Sequence, residues 1–196
     1  MGFFSDWRML RRFRKLALEA KDAARVGELS RLQTIIRTEV HQEIQRRDPE
    51  LVQSMLDSYL RDAAPEGHRD IVQFLLELGA NPNGVESKQG LSSLALAAYK
   101  GRDRVVVQLI KHGGDSNLSG KGGFTPLMFA AGECSPSTVS GMLAAGADPN
   151  LTTTDGMRAK DLAEFRNRPE NLKVLDRVTR ATELEQIARG EDYNQQ

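Results

Sequence analysis

Residues 123–131 read Gly-Phe-Thr-Pro-Leu-Met-Phe-Ala-Ala, and parts of this stretch recur along the chain at a nearly constant interval. Its glycine is repeated 33 residues before and 33 residues after, at Gly90 and Gly156. Further columns keep almost the same spacing, namely the alanine pairs at 63–64, 97–98 and 130–131, then Gly79, Gly113 and Gly146, then Asn83, Asn117 and Asn150, and Gly67 with Gly101. A period of this length predicts stacked repeat units.

Two stretches resemble the repeat of the ankyrin family. Residues 123–131 are similar to its G-x-T-P-L-H-x-A-A opening, and residues 146–150, Gly-Ala-Asp-Pro-Asn, are similar to its G-A-D-x-N closing. Met128 replaces the usual histidine, and Cys134 stands in the column of Gly67 and Gly101. The resemblance implies an all-α solenoid of stacked helix-turn-helix units with projecting hairpin loops.

The repeat columns predict a domain at residues 49–189 with four units and a C-terminal cap helix. The units are expected at about 50–83, 84–117, 118–150 and 151–180. The first unit keeps only its second half well, and the fourth keeps little beyond Asp155-Gly156 and Leu162-Ala163. The fourth unit is therefore expected to be a polar cap, because the last unit of a stack needs an atypical outer face. Residues 190–196 are expected to be a disordered tail.

Each repeat column has a physical reason. Thr125 can cap a helix whose first turn tolerates Pro126. The alanine pairs let two helices approach closely, and Ile71, Val72, Leu75 and Leu76 recur at helical spacing. Gly79, Gly113 and Gly146 are expected to end helices in the left-handed conformation.

Residues 1–48 lack the repeat columns and are expected to form a helical arm that ends at Asp48-Pro49. Its second periodic stretch, from Leu29 to Ile44, is predicted to pack on the first repeat as a cap. Its first helix is basic and aromatic, and its docking candidates are Phe3, Phe4, Trp7, Arg8, Leu10, Arg11 and Arg12. Three interpretations stay open: packing within the protein or an oligomer, binding to an anionic membrane surface, and docking into a partner's groove.

The composition narrows the class of protein. The 196 residues include 27 Lys and Arg against 27 Asp and Glu, so no overall charge bias favours nucleic acid. A single cysteine, Cys134, cannot form an internal disulfide. No apolar run approaches the roughly 20 residues of a membrane-spanning helix, and the start lacks the features of a secretory signal. These observations favour a cytoplasmic protein.

Residues that could support catalysis are scattered. His41, His68 and His112 form no motif, and Cys134 has no partner motif around it. Residues 120–123, Gly-Lys-Gly-Gly, lack the spacing of a phosphate-binding loop and are expected to form a hairpin tip. The sequence therefore predicts no enzyme, no cofactor, no metal site and no small-molecule substrate. Cys134→Gly is expected to preserve folding and partner binding, because the aligned columns carry glycine.

The resemblance implies that a protein partner binds the concave face, made of hairpin tips and the ends of first helices. Carried over column by column, the candidates are Lys88, Gln89, Leu91, Tyr99, Lys100, Lys121, Phe124, Glu133, Thr154, Asp155, Met157, Phe165 and Arg166. Tyr99, Phe124 and Phe165 are the predicted anchors; the alternative for Phe124 and Phe165 is packing on neighbouring hairpins. The expected function is that of an adaptor, inhibitor or assembly partner, and the alternative is a peripheral membrane component targeted by the arm.

Overall fold

The computed structural model describes residues 3–37, 48–86 and 88–188, and the side chains of residues 14–37, 48–86 and 88–181. In these ranges the chain forms ten α-helices, one short 3-10 turn at Lys121–Gly123 and one isolated β-bridge between Val85 and Ser92. The helices are α1 (Phe3–Val26), α2 (Leu29–Ile36), α3 (Pro49–Ala63), α4 (Arg69–Glu77), α5 (Ser93–Tyr99), α6 (Asp103–Lys111), α7 (Pro126–Glu133), α8 (Pro136–Ala144), α9 (Ala159–Phe165) and α10 (Pro169–Ala188). The predicted all-α solenoid is confirmed.

Consecutive helices form antiparallel pairs, and the pairs stack. The first helices α3, α5, α7 and α9 pack against one another in order, and the second helices α4, α6, α8 and α10 form a parallel row. One continuous apolar core runs between the two rows, from Ala20 to Leu175. Because each pair contacts only its neighbours, the fold is that of a solenoid.

Local signals start and end these helices as the sequence predicts. The Thr125 hydroxyl accepts a hydrogen bond from the Met128 amide at 3.3 Å, and Pro126 occupies the first turn of α7. The Asp48 carboxylate caps α3 in the same way, accepting from the Leu51 amide at 3.0 Å. The glycines that follow the second helices, Gly79, Gly113 and Gly146, have φ of 91°, 84° and 93°. That left-handed geometry favours glycine over residues with a side chain.

The arm continues the solenoid at residues 20–36. α1 packs against α3, and its Ala23 and Ala24 are as buried as the alanine pairs of the repeats. Residues 23–27, Ala-Ala-Arg-Val-Gly, have the same Ala-Ala-x-x-Gly pattern as residues 63–67 and 97–101. Gly27 also has the left-handed backbone of Gly67. The end of α1 and the whole of α2 therefore form a helix pair like those of the repeats.

A ladder of asparagine side chains joins successive units. The Asn83 side chain donates to the Gly113 carbonyl at 2.9 Å and accepts from the Asp115 amide at 2.8 Å. Asn117 does the same one unit later, with the Gly146 carbonyl at 3.0 Å and the Asp148 amide at 2.8 Å. The asparagine column therefore fixes the register between units, because each side chain satisfies main-chain groups of the next loop.

Cys134 does not repeat the geometry of the glycines in its column. Its backbone is extended, with φ −89° and ψ 171°, whereas Gly101 has φ 63°. Ser135, the N-cap residue of α8, is extended as well, because the residue before a proline, here Pro136, avoids the helical region. Two extended residues thus replace the left-handed link. The thiol is buried, with Sγ 3.6 Å from the Ala98 carbonyl oxygen.

This geometry predicts a stability cost of Cys134→Gly that the repeat columns do not indicate. The variant removes a buried side chain and adds backbone freedom, so we expect a loss of about 2 kcal/mol in the free energy of unfolding. Cys134→Ala should lose only about 1 kcal/mol, because it keeps the Cβ and the backbone restriction. Urea denaturation of the three proteins measures both values. Midpoints that are unchanged in the glycine variant would contradict this account of the buried thiol.

Candidate interaction groove

An apolar cavity of about 400 Å³ opens where the ends of three first helices meet the hairpin loops. We call it the aromatic pocket. It lies along α5, α7 and α9 and is lined by Tyr99, Phe124, Met128, Phe129, Gly132, Glu133, Met157, Leu162, Phe165 and Arg166. Only two of these ten residues carry a charge, so the pocket suits an apolar group.

Phe129 holds two other rings in one wall of the pocket. The Tyr99 ring meets it edge-on, with centroids 5.5 Å apart and planes at 76°. The Phe124 ring stacks on it at 5.5 Å and 13°. Such contacts favour a fixed geometry, because the ring quadrupoles prefer offset or edge-to-face arrangements. The wall is therefore a preformed surface.

Phe165 forms the opposite side and has little contact with the fold, since 80% of its surface is exposed. Met157, from the last hairpin, and Leu162, from α9, are partly buried beneath it. Tyr99 is also exposed, at 48%. Two large aromatic residues thus face solvent across a single cavity.

The repeat register explains the shape of the pocket. Tyr99, Gly132 and Phe165 are spaced 33 residues apart and occupy the same position at the ends of α5, α7 and α9. Gly132 therefore leaves an opening between two aromatic side chains, over which the stem of Arg166 packs, and Phe129 lies one turn earlier on α7.

The next column carries charge, with Lys100, Glu133 and Arg166 at the same spacing. Glu133 and Arg166 form an ion pair with an N–O distance of 3.3 Å. The Lys100 ammonium lies 5.6 Å from the centroid of the Tyr99 ring. Among the described residues it pairs with no carboxylate, so the rim of the pocket carries one unmatched positive charge.

Six of the thirteen predicted partner-binding residues line the pocket: Tyr99, Phe124, Glu133, Met157, Phe165 and Arg166. The other seven do not. Leu91 packs against Gly120. The other six are exposed and lie beside the pocket or on hairpin tips, namely Lys88, Gln89, Lys100, Lys121, Thr154 and Asp155. Packing also differs between the predicted anchors, because Phe124 is half-buried on Phe129 whereas Phe165 is largely free.

Four lining residues are absent from the sequence-based prediction: Met128, Phe129, Gly132 and Leu162. Phe129 and Leu162 occupy one repeat column with Leu96, and Gly132 occupies another with Tyr99 and Phe165. The 33-residue spacing therefore indicates that these residues belong to the pocket, but only when the columns are compared across units.

The arm residues predicted to dock, Phe3, Phe4, Trp7, Arg8, Leu10, Arg11 and Arg12, all lie in α1. Their side chains are outside the described ranges, so their role stays a prediction. Within those ranges, no helix is both long enough and apolar enough to cross a membrane.

His68, His112 and Cys134 are held in structural contacts. His68 Nε2 lies 2.8 Å from the Arg25 carbonyl oxygen, and His112 Nδ1 lies 2.9 Å from that of Gln108. Burial raises the pKa of the Cys134 thiol to about 12, which keeps it protonated near neutral pH. No group of three or more His, Cys, Asp or Glu side chains in the part of the chain that the structure describes could hold a metal ion. His41 lies outside that part.

Comparison with known proteins finds a family match for part of this architecture. Residues 60–153 match the family described as ankyrin repeats in three copies. A putative ankyrin repeat-containing protein of Treponema pallidum (strain Nichols) is 33% identical over 111 residues, which are 56% of this chain and 37% of that protein. The human 2-5A-dependent ribonuclease is 44% identical over 62 residues, 32% of this chain and 8% of the ribonuclease.

Human BCL-6 corepressor-like protein 1 is 29% identical over 107 residues, 55% of this chain and 6% of that protein. The chain thus spans well under half of the length of each of these relatives. What they share with it is a repeat segment, and ankyrin repeats generally serve protein–protein interaction. The matched segment and the solenoid that it forms together identify residues 60–153 as ankyrin repeats.

Proposed function

We propose that this chain is a non-enzymatic interaction module that binds a protein partner through the aromatic pocket. It acts as an adaptor, inhibitor or assembly partner, and it works in the cytoplasm. The observation that carries this proposal is the pairing of two exposed aromatic residues, Tyr99 and Phe165, across one apolar cavity.

The energetics support this use of the surface. An exposed phenylalanine contributes little to folding, since the hydrophobic effect scales with the apolar area removed from water. Phe165 gains most of that free energy only when a partner covers it. Aromatic residues that become buried in this way dominate the energetics of many interfaces.

The outer row of helices offers a weaker alternative. Val107 of α6 is exposed at 40%, and it is not among the residues that line the aromatic pocket. Single exposed apolar residues are ordinary on protein surfaces, whereas a lined cavity marks a site. The concave side is therefore the better candidate for the interface.

Site-specific photo-cross-linking tests the proposal in cells of the native host. A benzophenone amino acid replaces Phe165 in one protein and the exposed Lys111 of α6 in a control protein. We expect cross-links from position 165 to a protein of defined mass and none to that protein from position 111. Equal labelling from both positions, or no protein adduct from position 165, would contradict the proposed interface.

A further inference from the structure

We infer that Gly132 sets the specificity of the pocket: it leaves the opening into which a partner protein inserts one large apolar side chain, with a carboxylate beside it that meets Lys100. This inference rests on the proposed function and assigns the chemistry of the partner. It follows from the row Tyr99, Gly132 and Phe165, in which only the middle member lacks a side chain.

The opening has the dimensions of a side-chain site. Gly132 lines a cavity of about 400 Å³, which is within the usual size range of protein binding pockets. Phe129, Met128 and Leu162 close the bottom of the space. A leucine, methionine or aromatic side chain that enters it contacts mostly apolar groups, since eight of the ten lining residues are uncharged.

Folding does not require glycine at position 132. The residue lies within α7 and its backbone is helical, where glycine is among the least favourable residues. A Cβ placed there would lie 3.0 Å from Arg166 Cγ, and outside α7 the nearest main-chain atom is the Leu162 carbonyl oxygen at 4.0 Å. The Arg166 side chain is 49% exposed and can move aside.

The rim determines the charge of the partner. Glu133 pairs with Arg166, whereas the Lys100 ammonium beside the Tyr99 ring has no ion-pair partner among the residues that the structure describes. An acidic residue close to the apolar anchor complements that charge, and a basic residue there is disfavoured. The chemistry of the partner is therefore an apolar anchor with a neighbouring aspartate or glutamate.

A peptide library tests this chemistry without knowledge of the native partner. Random 12-residue peptides displayed on phage are selected on the full chain, and the dominant peptides are synthesised. We expect them to share one Leu, Met, Phe or Trp with an Asp or Glu within three residues. Dominant peptides that lack the apolar residue, or that carry Lys or Arg in place of the acid, would overturn the inference.

The affinities of these peptides for four variants locate the site. Gly132→Leu fills the opening and should weaken binding at least thirtyfold, and Gly132→Ala should weaken it severalfold while the thermal midpoint stays equal or rises. Gly141→Ala is the matched control, because Gly141 lies within α8 and a Cβ there meets no atom within 4 Å. It should raise helix stability and leave binding unchanged. Lys100→Glu should weaken binding, and exchange of the peptide's acid for lysine should restore it.

The outcomes separate this inference from the proposed function. Peptides that bind Gly132→Leu and Gly132→Ala as tightly as the original protein overturn the role of Gly132, and cross-linking from position 165 then still supports the interface. Loss of peptide binding in both Gly132 variants, with no cross-link in cells, supports the pocket chemistry and contradicts the proposed cellular use.

Discussion

Replacement of Gly123 by alanine should destabilise the protein far more than the same replacement of Gly156. The two glycines occupy one repeat column, and their φ angles are 78° and 79°, so the backbone strain of an alanine is the same at both. The two glycines differ in the atoms that a Cβ at each position would meet. A Cβ on Gly123 would be 2.9 Å from both the Thr152 carbonyl oxygen and Thr153 Cα, whereas a Cβ on Gly156 meets nothing within 4 Å.

The strain alone predicts a loss of about 1–2 kcal/mol for Gly156→Ala. Gly123→Ala adds a clash with main-chain atoms, which cannot rotate away, so its loss should reach about 3 kcal/mol or more. The clash also threatens the hydrogen bond that joins the two hairpins, from the Thr154 amide to the Gly122 carbonyl at 2.9 Å. Urea denaturation of both variants under identical conditions measures the difference. Equal losses would mean that the hairpins do not stack as closely as the structure has them.

Replacement of Phe165 by alanine should abolish most partner binding and leave the fold intact. With 80% of its surface exposed, Phe165 contributes little to the core, so the thermal midpoint should change by only about 1 °C. If a partner covers this side chain, the substitution should weaken the free energy of binding by on the order of 2 kcal/mol or more, which is about a thirtyfold rise in Kd. Titration calorimetry with the cross-linked partner or a selected peptide measures this value.

The matched control for Phe165→Ala is Val107→Ala. It removes an exposed apolar side chain from the outer helix row, away from the lining of the aromatic pocket, and should leave the Kd unchanged. Tyr99→Ala gives a less clear result, because Tyr99 packs edge-on against Phe129 and its loss also affects that wall. A Kd that responds equally to Phe165→Ala and Val107→Ala would place the interface elsewhere.

Features that depend on a few neighbouring residues could be predicted from the sequence. The Thr125 cap and the left-handed Gly79 follow from local backbone rules that hold in any stack. The burial of the alanine pairs follows from their recurrence at the repeat period. These signals were strong because each was present in several units.

Features that depend on a comparison between units were harder to find. The arm's own Ala-Ala-x-x-Gly pattern lies 40 residues before the next copy, counted from Gly27 to Gly67. A comparison at the repeat period of 33 or 34 residues therefore does not detect it. Cys134 fits its column by number but not by backbone, since its φ is −89° where Gly101 has 63°. The pocket depends on Gly132, which has no side chain. The role of this position is indicated only when Gly132 is aligned with Tyr99 on α5 and Phe165 on α9.

The asparagine ladder has a consequence for how such a chain can lengthen. Asn83 and Asn117 present the same donors and acceptors to the next loop, and Asn150 carries the same side chain at the following position. A tandem duplication of residues 118–150 would therefore meet complementary groups at both new boundaries. It would also place two copies of Gly132 side by side between Tyr99 and Phe165. The asparagine ladder and the binding surface can therefore change independently, since a longer stack would keep the register between its units and acquire a wider opening.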